Sequence, residues 1–458
     1  MSKLVYEPKN VWKNADESMK KDIMDFSEEY KEFLLKGVTE RLCVEEAVKI
    51  AENAGFKPLS EVKSLKSGDC VYIVNRNKSI LLAKMGKKPM SEEGIAIIAA
   101  HIDSPRLDLK PVPVIEDGGM VYFKTHYYGG IKKYQWTALP LGMSGVVMTK
   151  NGPVKILVDG EDFCLCITDL LPHLATSQMT KQTKDAIEGE NLNVIIGTIP
   201  SDDKEESVKD ELLKVLNRLY NISEEDFISA ELEIYPAVKP KDVGFDRSLV
   251  GSYGHDDRVC AYTSLKAIAE SEIGDKTAIC ILADKEEIGS MGNTGMKSRF
   301  FENTIAELIS LSEENYSDLL LRRCLTKSVC LSADVCSAYD PLYANVYEKQ
   351  NTPKLNNGLA FMKYTGSRGK GGSSDASAEL IYKMRTLLDN ANVCWQIGEL
   401  GKVDEGGGGT VAQYIANLDV DVIDCGVPLL SMHAPFEIAA KADIYSAYKG
   451  YITFFEKI

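Results

Sequence analysis

The stretch Gly94-Ile95-Ala96-Ile97-Ile98-Ala99-Ala100 has no polar side chain at all. A strand with one face in water alternates apolar and polar positions. One without a polar position must be covered on both faces, as in a parallel sheet lying between layers of helix. The run ends in His101-Ile102-Asp103-Ser104-Pro105. In an open α/β sheet the carboxyl ends of the strands are where ligands bind. Strand alternation puts His101 and Asp103 on one side, so Asp103 can orient the imidazole as a carboxylate does behind a metal-bound histidine. Taken alone, His-x-Asp is equally the text of a capped loop. The pattern gains meaning only from the other acidic strand ends.

At 458 residues the chain exceeds one ordinary core, so two or three domains are expected. A net charge of -15 argues against nucleic acid as a partner, since nothing concentrates Lys and Arg against it. No apolar run approaches the ~20 residues needed to cross a bilayer, so no membrane partner is expected. The opening Met1-Ser2-Lys3-Leu4-Val5-Tyr6-Glu7-Pro8-Lys9 is polar and leads into a charged helix rather than a signal core. The eleven cysteines are odd in number and form no Cys-x-x-Cys pair, which reads as reduced thiols of a cytoplasmic protein. Cys164-Leu165-Cys166 has no partner ligands in sequence and reads as an apolar strand.

Helical spacing marks 16–36 and 40–54, each closed by a glycine, and Asp69–Val74 with Ser79–Lys84 reads as a hairpin. After Asp108 the texture changes. Short strands alternate with turn residues up to the linker Pro236-Ala237-Val238-Lys239-Pro240, with one charged helix over 203–219. From about residue 245 helices and strands alternate again: helices at 258–271, 300–323, 373–390 and 410–417, strands at 278–283, 328–332, 393–396 and 421–425. The fold class expected is α/β, a mostly parallel central sheet flanked by helices with an inserted β-rich domain. Residues 1–105 and 241–458 form the discontinuous catalytic domain and 106–240 the insert.

Acidic residues recur where these strands end. Asp284-Lys285-Glu286-Glu287 follows one strand and Ser332-Ala333-Asp334 closes another. Gly254-His255-Asp256-Asp257-Arg258 precedes a helix, and Ser431-Met432-His433 follows the last strand. Each alone reads as a solvated acid or a helix cap. Together they exceed what structure needs, and mixed imidazole and carboxylate ligation suits zinc or a similar divalent ion. The count suffices for two ions with one bridging Asp. Two ions ~3.5–4 Å apart can lower the pKa of a water and polarise a carbonyl. A base must then carry the water's proton to the leaving amine, and one glutamate of an adjacent pair can do that while its neighbour ligates.

His101-Ile102-Asp103-Ser104-Pro105-Arg106-Leu107-Asp108, Asp284-Lys285-Glu286-Glu287-Ile288-Gly289-Ser290, Ser332-Ala333-Asp334 and Ser431-Met432-His433 together resemble the aspartyl aminopeptidase and vacuolar aminopeptidase I family of di-zinc metallopeptidases. The resemblance runs from the helix near residue 40 to the C-terminus, with the motifs in order. It implies that His101, Asp256 and Asp334 hold one zinc and that Asp256, Glu287 and His433 hold the other. Asp103 would orient His101, Glu286 would be the general base, and the Asp256–Asp257 peptide would be cis. It further implies that the insert is a dimerisation domain, that dimers assemble as a tetrahedral dodecamer, and that His173 reaches a neighbour's active site. His126 and His255 are expected to be structural, although His255 adjoins Asp256.

Two departures from the family bear on the substrate pocket. Animal members have His where this chain has Ser337 and Asp340, and the loop Gly366-Ser367-Arg368-Gly369-Lys370-Gly371-Gly372 differs from the family's text. Arg368 or Lys370 can pair with an acidic P1 carboxylate, or the loop can be merely solvated. Gly406-Gly407-Gly408-Gly409 lacks the Lys-Ser/Thr of a nucleotide loop and can instead let a substrate backbone approach, near Gly408. The expected function is a metalloaminopeptidase acting on short peptides, with acidic P1 residues preferred. A di-zinc carboxypeptidase or N-deacylase, and a catalytically quiet shell or cargo protein, are the alternatives.

Overall fold

In the computed structural model, which describes residues 4–203 and 206–458, Ile95–His101 is a strand buried along its whole length. It belongs to a nine-stranded sheet made of β1 (Lys57–Pro58), β2 (Cys70–Asn75), β3 (Ser79–Lys84), β4 (Ile95–His101), β5 (Thr277–Ala283), β6 (Val329–Ser332), β7 (Leu359–Met362), β8 (Trp395–Ile397) and β9 (Asp421–Gly426). Their order across the sheet is β1-β2-β3-β5-β4-β6-β9-β7-β8. The junctions β1–β2, β5–β4, β4–β6, β6–β9 and β7–β8 are parallel. Those of β2–β3, β3–β5 and β9–β7 are antiparallel. The parallel run β5-β4-β6 sits mid-sheet, so three carboxyl ends lie side by side.

The apolar run of β4 is explained by what covers it. Ala96, Ile98 and Ala100 pack into a cluster with Phe26, Tyr30, Val259, Leu265, Tyr451 and Phe454. Ile95, Ile97 and Ala99 pack on the opposite face with Ile305, Leu308, Leu325 and Ile415. Burying an isoleucine side chain contributes about 1.5–3 kcal/mol. Ile95, Ile97 and Ile98 are all fully buried, so β4 is firmly held just where His101 leaves the sheet.

Helices run over Glu17–Lys36, Glu40–Asn53, His255–Glu270 and Lys441–Lys457. The single helix expected at 300–323 is two, Phe300–Ser312 and Asp318–Thr326, parted by a turn in which Asn315 has φ +57°. The helix expected from 373 begins at Ala378, where the Ser377 side chain accepts from the Leu380 N–H. That expected over 410–417 is the short Ala412–Ala416. A small five-stranded sheet that the sequence reading did not anticipate joins Lys241–Val243, Leu249–Ser252, Glu437–Ala440, Pro428–Leu430 and Cys336–Ser337.

By contacts the chain divides into two compact units. One comprises the chain up to Asp103, Pro240–Met432 and Glu437–Ile458, and the other Ser104–Lys239 with His433–Phe436. The second unit holds a six-stranded antiparallel sheet, in order Gly152–Val158, Leu141–Thr149, Ala230–Pro236, Arg106–Asp117, Met120–Tyr128 and Val194–Gly197. Leu107, Phe123, Trp136, Leu141 and Ile234 form part of its core. Cys164–Cys166 is not a strand there: Leu165 and Cys166 make single bridges to Leu141 and Ile195. The helix expected over 203–219 runs from Val208 to Tyr220, started by a capping box between Ser207 and Asp210. Lys204 and Glu205 of that expectation, and Met1–Lys3 of the polar leader, lie outside the described residues. All eleven cysteines are free thiols, and no helix among the described residues is long and apolar enough to cross a membrane.

Candidate metal centre

His101 ends β4, and the chain ends beside it are those of β5 and β6. Its Nε2 lies 3.1 Å from Asp256 Oδ1, 3.9 Å from Asp334 Oδ1 and 4.0 Å from Glu286 Oε2. Two overlapping sets of side chains bring their ligand atoms within 4.8 Å of one another: His101, Asp257 and Asp334, and His101, Asp256 and Glu287. The imidazole is oriented from behind. Its Nδ1 lies 3.0 Å from the Asp103 carbonyl oxygen, which can only accept, so Nδ1 carries the proton and Nε2 faces the carboxylates.

The Asp103 carboxylate has a second task. Its two oxygens accept the backbone N–H groups of Glu286 (3.1 Å) and Glu287 (3.2 Å). Lys285 sits in the left-handed region at φ +65°, which turns successive N–H groups to one side and makes a small anion-binding nest. One buried carboxylate therefore fixes both adjacent glutamates through their backbone while also lying 3.4 Å from the His101 ring.

The electrostatics favour a cation here. Burial raises the carboxyls of Asp257 and Asp334 well above their ordinary range. His101 opposes that, while neighbouring carboxylates add to it: Asp256 beside Asp257, and Asp257, Glu286 and Asp256 beside Asp334. Burial alone would push the His101 ring down, but Asp103 and Asp256 outweigh it and hold the ring well above its usual value. So many buried carboxylates around one imidazole are ionised together only if positive charge is supplied. One ring nitrogen and several carboxylate oxygens are a donor set that zinc accepts.

Helical geometry is interrupted where Asp256 and Asp257 stand, with ψ of 109° and 29°, and the peptide between them is cis. The Asp256 N–H, in the first turn where no helical acceptor exists, is accepted by Glu437 Oε2 at 3.0 Å, and Asp257 Oδ2 accepts the His101 N–H at 3.3 Å. Two glycines allow this packing. A Cβ on Gly254 would fall 1.5 Å from the buried Arg258 guanidinium, and one on Gly426 would fall 1.8 Å from the Asp334 carbonyl oxygen.

The remaining expected residues are placed as follows. His433 is in neither set of converging side chains and belongs to the second unit, where its Nδ1 lies 2.9 Å from the Gly130 carbonyl. His173 stands exposed on the short turn Pro172–Leu174. Arg368 and Lys370 are exposed, and Lys370 pairs with Asp375 at 2.9 Å and lies over the Tyr364 ring. The Gly408 carbonyl accepts the Gly366 N–H at 2.6 Å, so the two glycine-rich loops are joined to each other. Ser337 lies 3.2 Å from the Tyr347 hydroxyl, and Asp340 caps the Leu342 N–H. His255 is no rival ligand: Tyr30 Oη is 2.7 Å from its Nδ1 and the Val250 carbonyl 3.1 Å from its Nε2, and burial lowers it to about 3. His126 is spent on the Tyr127 carbonyl.

Sequence reasoning missed the part played by Asp257 and Glu437. Asp257 was visible as the neighbour of Asp256, but nothing in spacing says which of two adjacent carboxylates turns toward His101 and Asp334. Glu437 opens a strand four residues after His433, a position that looks like an ordinary solvated acid.

Known proteins fit this geometry. A family model described as aminopeptidase I zinc metalloprotease (M18) matches residues 33–455. A probable M18 family aminopeptidase 1 from Clostridium acetobutylicum is 50% identical over 98% of each chain, and one from Thermotoga maritima is 44% identical over 99% of each. The crystal structure of the M18 aminopeptidase from Thermotoga maritima has a TM-score of 0.95, covering 99% of this chain and 100% of that one. The mApe1 dodecamer of S. cerevisiae, only 21% identical, shares the fold at a TM-score of 0.76 over 94% of this chain and 96% of that one. Neither a carboxypeptidase, an N-deacylase nor an inert shell is needed to account for such a match: the chain belongs to the M18 family and is a zinc metalloaminopeptidase.

Proposed function

We propose that this aminopeptidase removes the N-terminal residue of short peptides and that two zinc ions would share Asp256 as a ligand. His101 and Asp334 would complete one position and Glu287 and His433 the other. The observation that supports the reading is that two sets of ligand atoms converge on His101, Asp257 with Asp334 and Asp256 with Glu287. His433 is supported by its tautomer. Like His101, it turns Nδ1 toward a backbone carbonyl, which leaves Nε2 as the ligating nitrogen.

Zinc, when bound, supplies the charge that acidifies a water and polarises the scissile carbonyl. Glu286 Oε2 takes the water's proton and delivers it to the departing amine nitrogen. Asp103 holds Glu286 and Glu287 by their backbone and stands behind His101, so base and ligands keep one geometry through the cycle. Arg368, beside Lys370 and near Gly408, is the group suited to an acidic P1 side chain. The second unit serves as a dimerisation domain, with dimers forming a tetrahedral dodecamer and His173 reaching a neighbour's active site. The exposure of His173 with Leu170, Leu171 and Leu174 supports a covered surface there. A cytoplasmic location fits the eleven free thiols.

The test measures bound zinc and turnover on aminoacyl chromogenic substrates with acidic and apolar P1 residues, for wild type and Glu286→Gln. Two equivalents of zinc in both proteins are expected, with turnover in the variant about 10²–10⁴-fold lower. A single equivalent, or near-wild-type turnover by Glu286→Gln, refutes the reading.

A further inference from the structure

We infer that Glu437 is a positioning residue for Asp256, and through it for both metal positions; this rests on the reading that Asp256 is shared between them. Asp256 is the second residue of its helix, so its N–H is one of the first four that have no acceptor within the helix. An amide this deeply buried must find another acceptor. Glu437 Oε2 supplies it at 3.0 Å, and both side chains are buried, Glu437 being 1% exposed.

The two partners approach from opposite sides of one sheet junction. Glu437 is the register partner of Ser252, on the strand leading into Gly254 and His255. Gly254 is itself held in the left-handed region at φ +72°, packed on the Arg258 side chain. The Asp256 backbone is thus gripped ahead by Gly254 and Arg258 and at its N–H by Glu437. A hydrogen bond to that N–H sets where the Asp256 carboxylate points, 3.1 Å from His101 Nε2. Partners that orient a ligand in this way typically change metal affinity about 10–100-fold when removed. Glu437 lies four residues beyond His433, so the chain that supplies one ligand to a position also carries the group that orients another.

The experiment compares Glu437→Gln with Glu437→Met, two side chains of similar volume that differ in whether they offer an acceptor. Zinc binding to the metal-free proteins is titrated calorimetrically and the bound metal counted, with Asp256→Asn as reference. Glu437→Gln is expected to bind both ions within a few-fold of wild type. Glu437→Met is expected to bind both ions about 10–100-fold more weakly, because the carboxylate it misplaces serves both positions. Wild-type binding by Glu437→Met, or equal losses in both variants, overturns the inference. Retention of two ions by Asp256→Asn would instead refute the bridging reading on which it rests.

Discussion

Asp103→Asn is the most informative single substitution in the site. The two carboxylate oxygens accept the Glu286 and Glu287 N–H groups at 3.1 and 3.2 Å, and Asp103 is fully buried, so water cannot substitute for either. Asparagine keeps the shape but offers one oxygen. Its amide nitrogen would face a backbone N–H, donor against donor. One hydrogen bond to a charged acceptor is lost outright, worth about 1.5–3 kcal/mol. At about 1.36 kcal/mol per factor of ten, that is about 10- to 160-fold if the loss is felt in the transition state. Because the bond positions Glu286 rather than the substrate, the fall should lie in kcat, with KM nearly unchanged. Steady-state kinetics on an aminoacyl chromogenic substrate, beside zinc content and a thermal melt, reads this directly. An Asp103→Asn enzyme with full zinc and kcat within threefold of wild type would show that the nest under the glutamates does nothing for catalysis.

Two further outcomes follow from packing and charge. Asp242 accepts ion pairs from Lys441 and Lys31, each at 2.9 Å, and Lys441 is fully buried with Glu28 as its other partner at 3.7 Å. Burial works against the Asp242 carboxylate, but the two ammonium groups outweigh it and hold it below its usual range. Asp242→Asn should cost about 2–3 kcal/mol at pH 7, less than the full cost of stranding a buried charge because Glu28 remains. A depressed carboxylate stabilises above its unfolded value near pH 4 and loses that contribution as pH falls through its folded value. Melting temperatures of wild type and Asp242→Asn should therefore differ at pH 7 and converge in acid; a constant difference across the range contradicts this. Gly426→Ala places a methyl group against the Asp334 carbonyl, where overpacking costs about 1–3 kcal/mol and shifts that ligand's backbone. Both thermal stability and zinc affinity should drop, and unchanged zinc affinity would mean Asp334 is not held by this approach.

Much of the site was readable before the fold. Unbroken apolar text marked β4 as a strand covered on both faces, and among the acids at neighbouring strand ends Glu286, Glu287 and Asp334 lie near His101. The helix at 300–323 was misread because its two halves share a period, while the turn at Asn315 depends on where Asp318 can restart a helix. The small sheet at 241–252 and 428–440 was missed for a different reason. Its strands are two to four residues long, too short for alternation to register, and pair across nearly two hundred positions.

Sequence alone determined the chemistry available: two imidazoles and a set of acids near strand ends, in an order that belongs to a zinc aminopeptidase. A side chain's type and its spacing to near neighbours are local, and periodicity reports only which face is buried. Which carboxylate meets which is not local. The strand order β5-β4-β6 decided that Glu287 and Asp334 flank His101, the break before Arg258 decided how Asp256 and Asp257 divide the work, and a strand far along the chain decided that Glu437 holds Asp256. Those distances follow from how distant segments pack, and packing is the one thing that a linear pattern does not contain.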